Sequence, residues 1–170
     1  MTDAIRTAIQ DASAYLTEHP GEARYTDSLA TARIESGLRI RVTGPDAEEL
    51  VTDMPGAVGG GASAPSPGWF LRAAVAACVT SLAAMRAAQL GIDDFGCEVD
   101  VDSESDDRGI LGLDANTPAG PLSTRITFRV TAAGTDPDRL RDVAEWAVAH
   151  CPVSDAVRRA VPLNVEVEVG

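Results

Sequence analysis

Two of the three cysteines stand where a thiol pair does chemistry. Cys78 lies in the apolar run Gly68-Trp69-Phe70-Leu71-Arg72-Ala73-Ala74-Val75-Ala76-Ala77-Cys78, and Cys151 precedes a proline in His150-Cys151-Pro152-Val153. A thiolate attacks the distal oxygen of a peroxide, expels an alkoxide and becomes a sulfenic acid. A second thiol condenses with that acid to a disulfide and spares the first sulfur from over-oxidation. The pair needs an attacking thiol of lowered pKa, a partner within disulfide reach and an apolar pocket for the organic part of the substrate. Cys78 has apolar helix neighbours in Ala74, Val75 and Leu82. That setting alone raises a thiol's pKa, so a guanidinium must come from elsewhere in the fold. Cys151 opens a helix, where the dipole favours a negative sulfur. Two unrelated buried cysteines remain the alternative at this level.

Other residues have plainer readings. Cys97 shares a strand face with two valines and reads as core. His150 ends a helix, where a cation offsets the dipole. Trp69 and Trp146 read as packing, and Arg108 in Asp106-Asp107-Arg108-Gly109 reads as a surface ion pair. There is no CxxC, and His19 and His150 are the only histidines, a poor basis for a tetrahedral metal site.

The elements that must position the thiols follow from pattern. The chain has 170 residues, 45% hydrophobic, with 26 acids against 14 bases and a formal charge of -12. A core of ordinary size is within reach. The negative balance argues against nucleic acid and anionic membranes, and 4% aromatics leaves little for base stacking. No leader pattern opens the chain. The uncharged apolar stretch from Ala73 to Met85 is shorter than the roughly 20 residues of a spanning helix. The expectation is a soluble, cytoplasmic protein whose cysteines are reduced.

Residues 3–17 carry apolar positions at helical spacing and stop at His19-Pro20-Gly21. Strands are predicted over residues 29–34, 38–42 and 48–53, the first two joined at Ser36-Gly37. The loop over residues 55–67 contains Gly59-Gly60-Gly61 with no Lys-Ser/Thr after it. It is therefore no phosphate loop and reads as tightly packed backbone. Ser66 caps a helix with Pro67 at its first position, and Gly91 stops it. Its small apolar residues predict burial on nearly all sides, so a second subunit is needed to cover it. Then come strands around Cys97, Val99 and Val101 and over residues 125–131, with a polar loop over 103–112 between them. A helix capped by Asp136-Pro137 runs to Cys151-Pro152, a short helix covers residues 153–160, and a last strand carries Leu163, Val165, Val167 and Val169. The class is α+β with antiparallel sheets packed on helices.

The set Gly59-Gly60, Pro65-Ser66-Pro67, Leu71, Ala73-Ala74, Ala76-Ala77-Cys78 and, far downstream, Cys151-Pro152-Val153 resembles the OsmC/Ohr family of osmotically inducible and organic hydroperoxide resistance proteins. The segment Asp107-Arg108-Gly109-Ile110-Leu111-Gly112 is similar to one in OsmC-like branches. The resemblance covers roughly residues 25–170. It suggests an N-terminal helical extension over residues 1–20 and an OsmC-like domain over 21–170. It implies an intertwined homodimer with antiparallel sheets packed on long central helices and active sites at the subunit interface. It also implies reduction of organic hydroperoxides, with no resident cofactor and with a dithiol such as a lipoyl group as reductant. Cys78 then matches the attacking cysteine and Cys151 the resolving one. Arg39, with Arg41 next, matches the arginine that steadies the thiolate. One departure stands out. Peroxidatic members have a glutamate after the helix-start proline, and this chain has Gly68 there. A dimer that binds a small apolar ligand or a partner without catalysis is the rival reading.

Overall fold

The computed structural model describes residues 2–170. Helix α1 spans Thr2–Glu18. Strands β1 (Thr31–Ser36), β2 (Arg39–Thr43) and β3 (Glu49–Thr52) follow, then α2 (Pro67–Gln89), β4 (Gly96–Glu104), the single turn α3 (Asp107–Ile110), β5 (Ser123–Thr131), α4 (Pro137–His150) and α5 (Pro152–Arg158). The α+β class and, α3 apart, the order from α1 to α5 follow the sequence pattern. Two compact units result, residues 7–74 and, among the described residues, 2–6 with 75–170.

In the unit of residues 7–74, β1, β2 and β3 form an antiparallel sheet in that order. Gly37, with φ of 55°, makes the hairpin turn, a left-handed conformation that suits a residue without Cβ. The register slips between Ile34 and Ser36, because Ile34 faces Ile40 while Ser36 faces Arg39. Glu35 is thus the extra residue of a bulge, the device that re-aims a side chain. Asp53 follows the last β3 pair, Ile40 with Thr52, so it continues the face that carries Arg39 and Arg41. The glycine loop is tight backbone, as expected. A Cβ on Gly60 would lie 1.8 Å from the Met54 carbonyl oxygen, and Ala62 N–H donates to that same oxygen at 3.1 Å.

In the other unit, β4 and β5 pair antiparallel from Gly96 with Thr131 to Glu104 with Ser123. Val99, Val101, Ile126 and Phe128 face inward, where they meet Val75, Val79 and Cys151. A second cluster joins Ala83, Ala87 and Ile92 to Val143 and Ala147 of α4, with Cys97 packed against it. Helix α2 begins and ends as its residues dictate. Trp69 N–H donates to Ser66 Oγ at 3.3 Å, and Gly91 leaves the helix with φ of 67°. Arg139 of α4 donates to the Leu90 carbonyl at 3.2 Å, satisfying an acceptor that the helix end leaves open. The Arg86 guanidinium lies 5.1 Å from the Trp146 ring centroid, a cation–π contact between α2 and α4.

Three expectations need correction. Helix α2 is not enclosed all round: Val75, Val79, Ala83 and Ala87 form one buried stripe at intervals of four, while Ala74, Ala77, Ala84 and Met85 are exposed. The polar loop after β4 contains α3, capped by the Asp106 carboxylate accepting from Arg108 N–H at 3.0 Å. The final alternating segment is extended but unpaired; Leu163 is 87% exposed and Val169 91%. Period two makes a strand only where an edge is available to bond it.

Candidate functional site

Cys78 and Cys151 come together. Cys78 is a half-buried residue of α2, and Cys151, fully buried, joins α4 to α5. Cys78 packs against the buried cluster that holds Cys151, and each thiol shifts the other's ionisation. Both sulfurs sit among Val75, Val79, Leu82, Val148 and Val153. The sequence places Cys151 as the cap of α5, in the role usually taken by Ser or Asp. Its Sγ accepts from Ser154 N–H at 3.3 Å, and the Val153 amide favours the ionised form of both sulfurs. Pro152 at the first helical position fixes the chain direction that brings those amides round.

Burial pushes the Cys78 thiol up, and the Cys151 thiol pushes it further; the Val153 amide works against both. At Cys151 burial acts upward too, but the Ser154 amide, the Cys78 thiol and the Val153 amide outweigh it and the net shift is downward. Burial and the neighbouring thiol thus oppose ionisation at Cys78, while the backbone amides favour it at Cys151. Cys78 is the less buried of the two, and Cys151 is the one the backbone amide stabilises. Cys97 is apart from both and its thiol is pushed up by burial, in keeping with a core role. His150 stacks on Trp146 with ring centroids 4.1 Å apart and bonds the Trp146 carbonyl through Nδ1 at 2.8 Å. Arg108 pairs with Asp106.

Arg39 belongs to the unit of residues 7–74. Its Nε donates to Glu35 Oε2 at 3.0 Å and its Nη1 to Ser63 Oγ at 2.8 Å. Arg41 is gripped by two carboxylates, those of Glu35 and Glu49. Among the described residues Arg39 has one carboxylate partner and Arg41 two, which leaves Arg39 the less neutralised guanidinium. Arg41 holds the Glu35 carboxyl below its usual range, and Arg39 adds to the effect. The Asp53 carboxyl is buried and sits at about 2, held there by Ser63 through its amide and hydroxyl and by the amides of Gly61 and Met54. The first turn of α2 carries no acid. Beside it, Trp69 is 48% exposed and, with Pro55, Ala62 and Pro65, lines a cavity of about 420 Å³.

Sequence reasoning missed Ser154 and Ser63. Cys-Pro-Val-Ser carries the spacing of a capping box, with sulfur as the capping atom, which was a legible signal for Ser154. Ser63 sits in a small-residue loop and gave none.

Comparison with known proteins adds the following. A family model described as OsmC-like protein matches residues 59–166. No curated protein matches the chain. Among solved structures, an OsmC-like protein from Mycoplasma pneumoniae is 12% identical with a TM-score of 0.66, over 79% of this chain and 89% of that one. An organic hydroperoxide resistance protein OsmC from Legionella pneumophila is 21% identical with a TM-score of 0.57, over 79% and 91%. The organic hydroperoxide resistance protein OhrB of Bacillus subtilis is 23% identical with a TM-score of 0.52, over 78% and 91%. At such identities the likeness establishes the fold.

Proposed function

The chain belongs to the OsmC-like protein family, and from that premise we propose that it is a thiol peroxidase reducing organic hydroperoxides through Cys78 and Cys151. The observation that carries this reading is that Cys78 and Cys151 pack in one apolar cluster, where each shifts the other's ionisation. Cys78 sulfur attacks the distal oxygen of ROOH, the O–O bond breaks, and the alkoxide leaves and is protonated to ROH. Cys78 gives up its proton as it attacks, and that proton is the one the departing alkoxide takes up. Cys78 is then a sulfenic acid. Cys151 thiolate displaces its hydroxyl as water, taking up a proton, and a disulfide results. An external dithiol, such as a lipoyl group, returns both sulfurs to thiols by exchange.

Arg39 steadies the Cys78 thiolate in this scheme, offsetting the burial that pushes that thiol up. The working form is a homodimer. The uncovered face of α2 and the unpaired segment over residues 163–169 support it, since both are apolar surfaces that a second copy would remove from water. A reducing, cytoplasmic setting suits a cycle that starts from free thiols.

A coupled assay with cumene hydroperoxide and dihydrolipoamide, run beside hydrogen peroxide, tests the reading. The organic substrate is the faster of the two. Cys78→Ser abolishes turnover, and Cys151→Ser stops after one equivalent, with a sulfenic acid trapped by dimedone. Turnover of Cys78→Ser at the parent rate removes that residue from the mechanism. The second reading, a binding protein without catalysis, draws on the acid-free start of α2 and the Trp69-lined cavity. It is favoured if tight binding of an apolar ligand accompanies no peroxide consumption.

A further inference from the structure

We infer that Ser63, seated by Asp53, is a positioning residue for the Arg39 guanidinium. The inference rests on the reading of Arg39 as the group that steadies the attacking thiolate. No acid stands in the first turn of α2, so the orientation of Arg39 must be set within the sheet and its loop.

The hydrogen bonds give a direction. Ser63 Oγ–H donates to Asp53 Oδ2 at 2.7 Å. The hydroxyl has one proton, and it is committed to the carboxylate. Its lone pairs are left to accept, and Arg39 Nη1 donates to them at 2.8 Å. A neutral hydroxyl is thus polarised into an acceptor for a cation by a buried anion behind it. Glu35 holds the other edge of the same guanidinium through Nε at 3.0 Å. Two edges are fixed, and among the described residues Nη2 carries no hydrogen bond.

The relay does not swing. Asp53 also accepts from Met54 N–H at 2.8 Å, Gly61 N–H at 3.3 Å and Ser63 N–H at 3.0 Å. Asp53 N–H donates to the Pro65 carbonyl at 3.2 Å. These bonds close the loop over residues 54–65 through backbone amides, and no Cβ fits at Gly60. The Ser63 hydroxyl is not needed for that closure, because the Ser63 amide already reaches Asp53. Its separate contribution is the contact with Arg39. Ser63→Ala therefore removes the contact while leaving the amides that hold the loop.

The test is a double-mutant cycle on single-turnover oxidation of Cys78 by cumene hydroperoxide, followed from pH 5 to 10. Ser63→Ala should stay folded, with a lower unfolding midpoint from the lost bond to Asp53, and lower the second-order rate at neutral pH by about threefold to tenfold, the worth of one hydrogen bond to a charged group in a partly exposed setting. The kinetic pKa of Cys78 should rise. Arg39→Ala should lower the rate further, and adding Ser63→Ala to it should change nothing more. Ser63→Thr, which keeps the hydroxyl, should restore most of the rate. A Ser63→Ala rate and pH profile equal to the parent's overturns the inference while leaving the peroxidase reading intact. So does a loss that multiplies with that of Arg39→Ala. A parent protein that does not consume the hydroperoxide fells the peroxidase reading and this inference with it.

Discussion

Replacing Gly68 by glutamate isolates what the helix start contributes. Gly68 is the second helical residue of α2, after the Ser66 cap and Pro67. It is absent from the left-handed glycines, so a side chain meets no backbone strain. A Cβ there would find its nearest neighbours, Arg72 Nη1 and Ser66 Oγ, at 3.9 Å, an ordinary contact distance. Replacing glycine by a good helix former gains about 0.5–1 kcal/mol. A carboxylate in the first turn adds about 0.3–1 kcal/mol against the dipole. The sum is about 0.8–2 kcal/mol, and in a domain of this size it raises the melting temperature by about 2–8 °C. Melts of parent and Gly68→Glu at one protein concentration, in 20 mM and 500 mM salt, check both parts. Salt screens the dipole part, so the gain should shrink to about half at the higher strength. A melting point equal to or below the parent's refutes the steric and propensity reasoning. A gain indifferent to salt refutes the charge reasoning. If Glu35 and Ser63 already orient Arg39, kcat/KM for cumene hydroperoxide should stay within about twofold of the parent.

Two further outcomes follow from the same geometry. The Asp53 carboxyl sits at about 2, below the roughly 3.9 of an unfolded aspartate. A depressed folded value stabilises the fold above the unfolded one, and that contribution drains away as pH falls from about 4 towards 2. Urea midpoints between pH 2 and 6 should fall through that window for the parent, with a visibly shallower fall for Asp53→Asn; parallel curves would show that Asp53 does not govern it. Deleting residues 163–170 should leave a monomer in sedimentation at micromolar concentration, and a deletion variant that sediments as a dimer would show that the segment is not part of the contact.

Local chemistry was legible where neighbouring residues settle the matter. Ser66-Pro67 and Gly91 set the ends of α2, and Asp136-Pro137 the start of α4, because caps act within one turn. The approach of Cys78 to Cys151 was not legible from spacing, since it depends on β4 and β5 seating α2 against the α4–α5 junction. Resemblance to a known family supplied it. The pattern also misjudged the last strand, because alternation describes a face and says nothing about whether an edge is present to pair with. The Glu35 bulge was invisible for a related reason: the slip is a property of two strands and cannot be read from either alone.

The junction that holds Cys151 has a bearing on how the protein withstands excess oxidant. Ser154 Oγ–H lies 2.9 Å from the Val148 carbonyl and 3.2 Å from the Cys151 carbonyl and shares its one proton between them, clasping the end of α4 to the start of α5. On the proposed reading the second sulfur is held beside the first before oxidation begins. In the proposed cycle this gives the oxygenated sulfur a short life, because a preset neighbour reacts at very high effective molarity. On the proposed reading a second peroxide molecule must win that race to inactivate the site for good, so the Ser154 hydroxyl would help the protein resist a high dose.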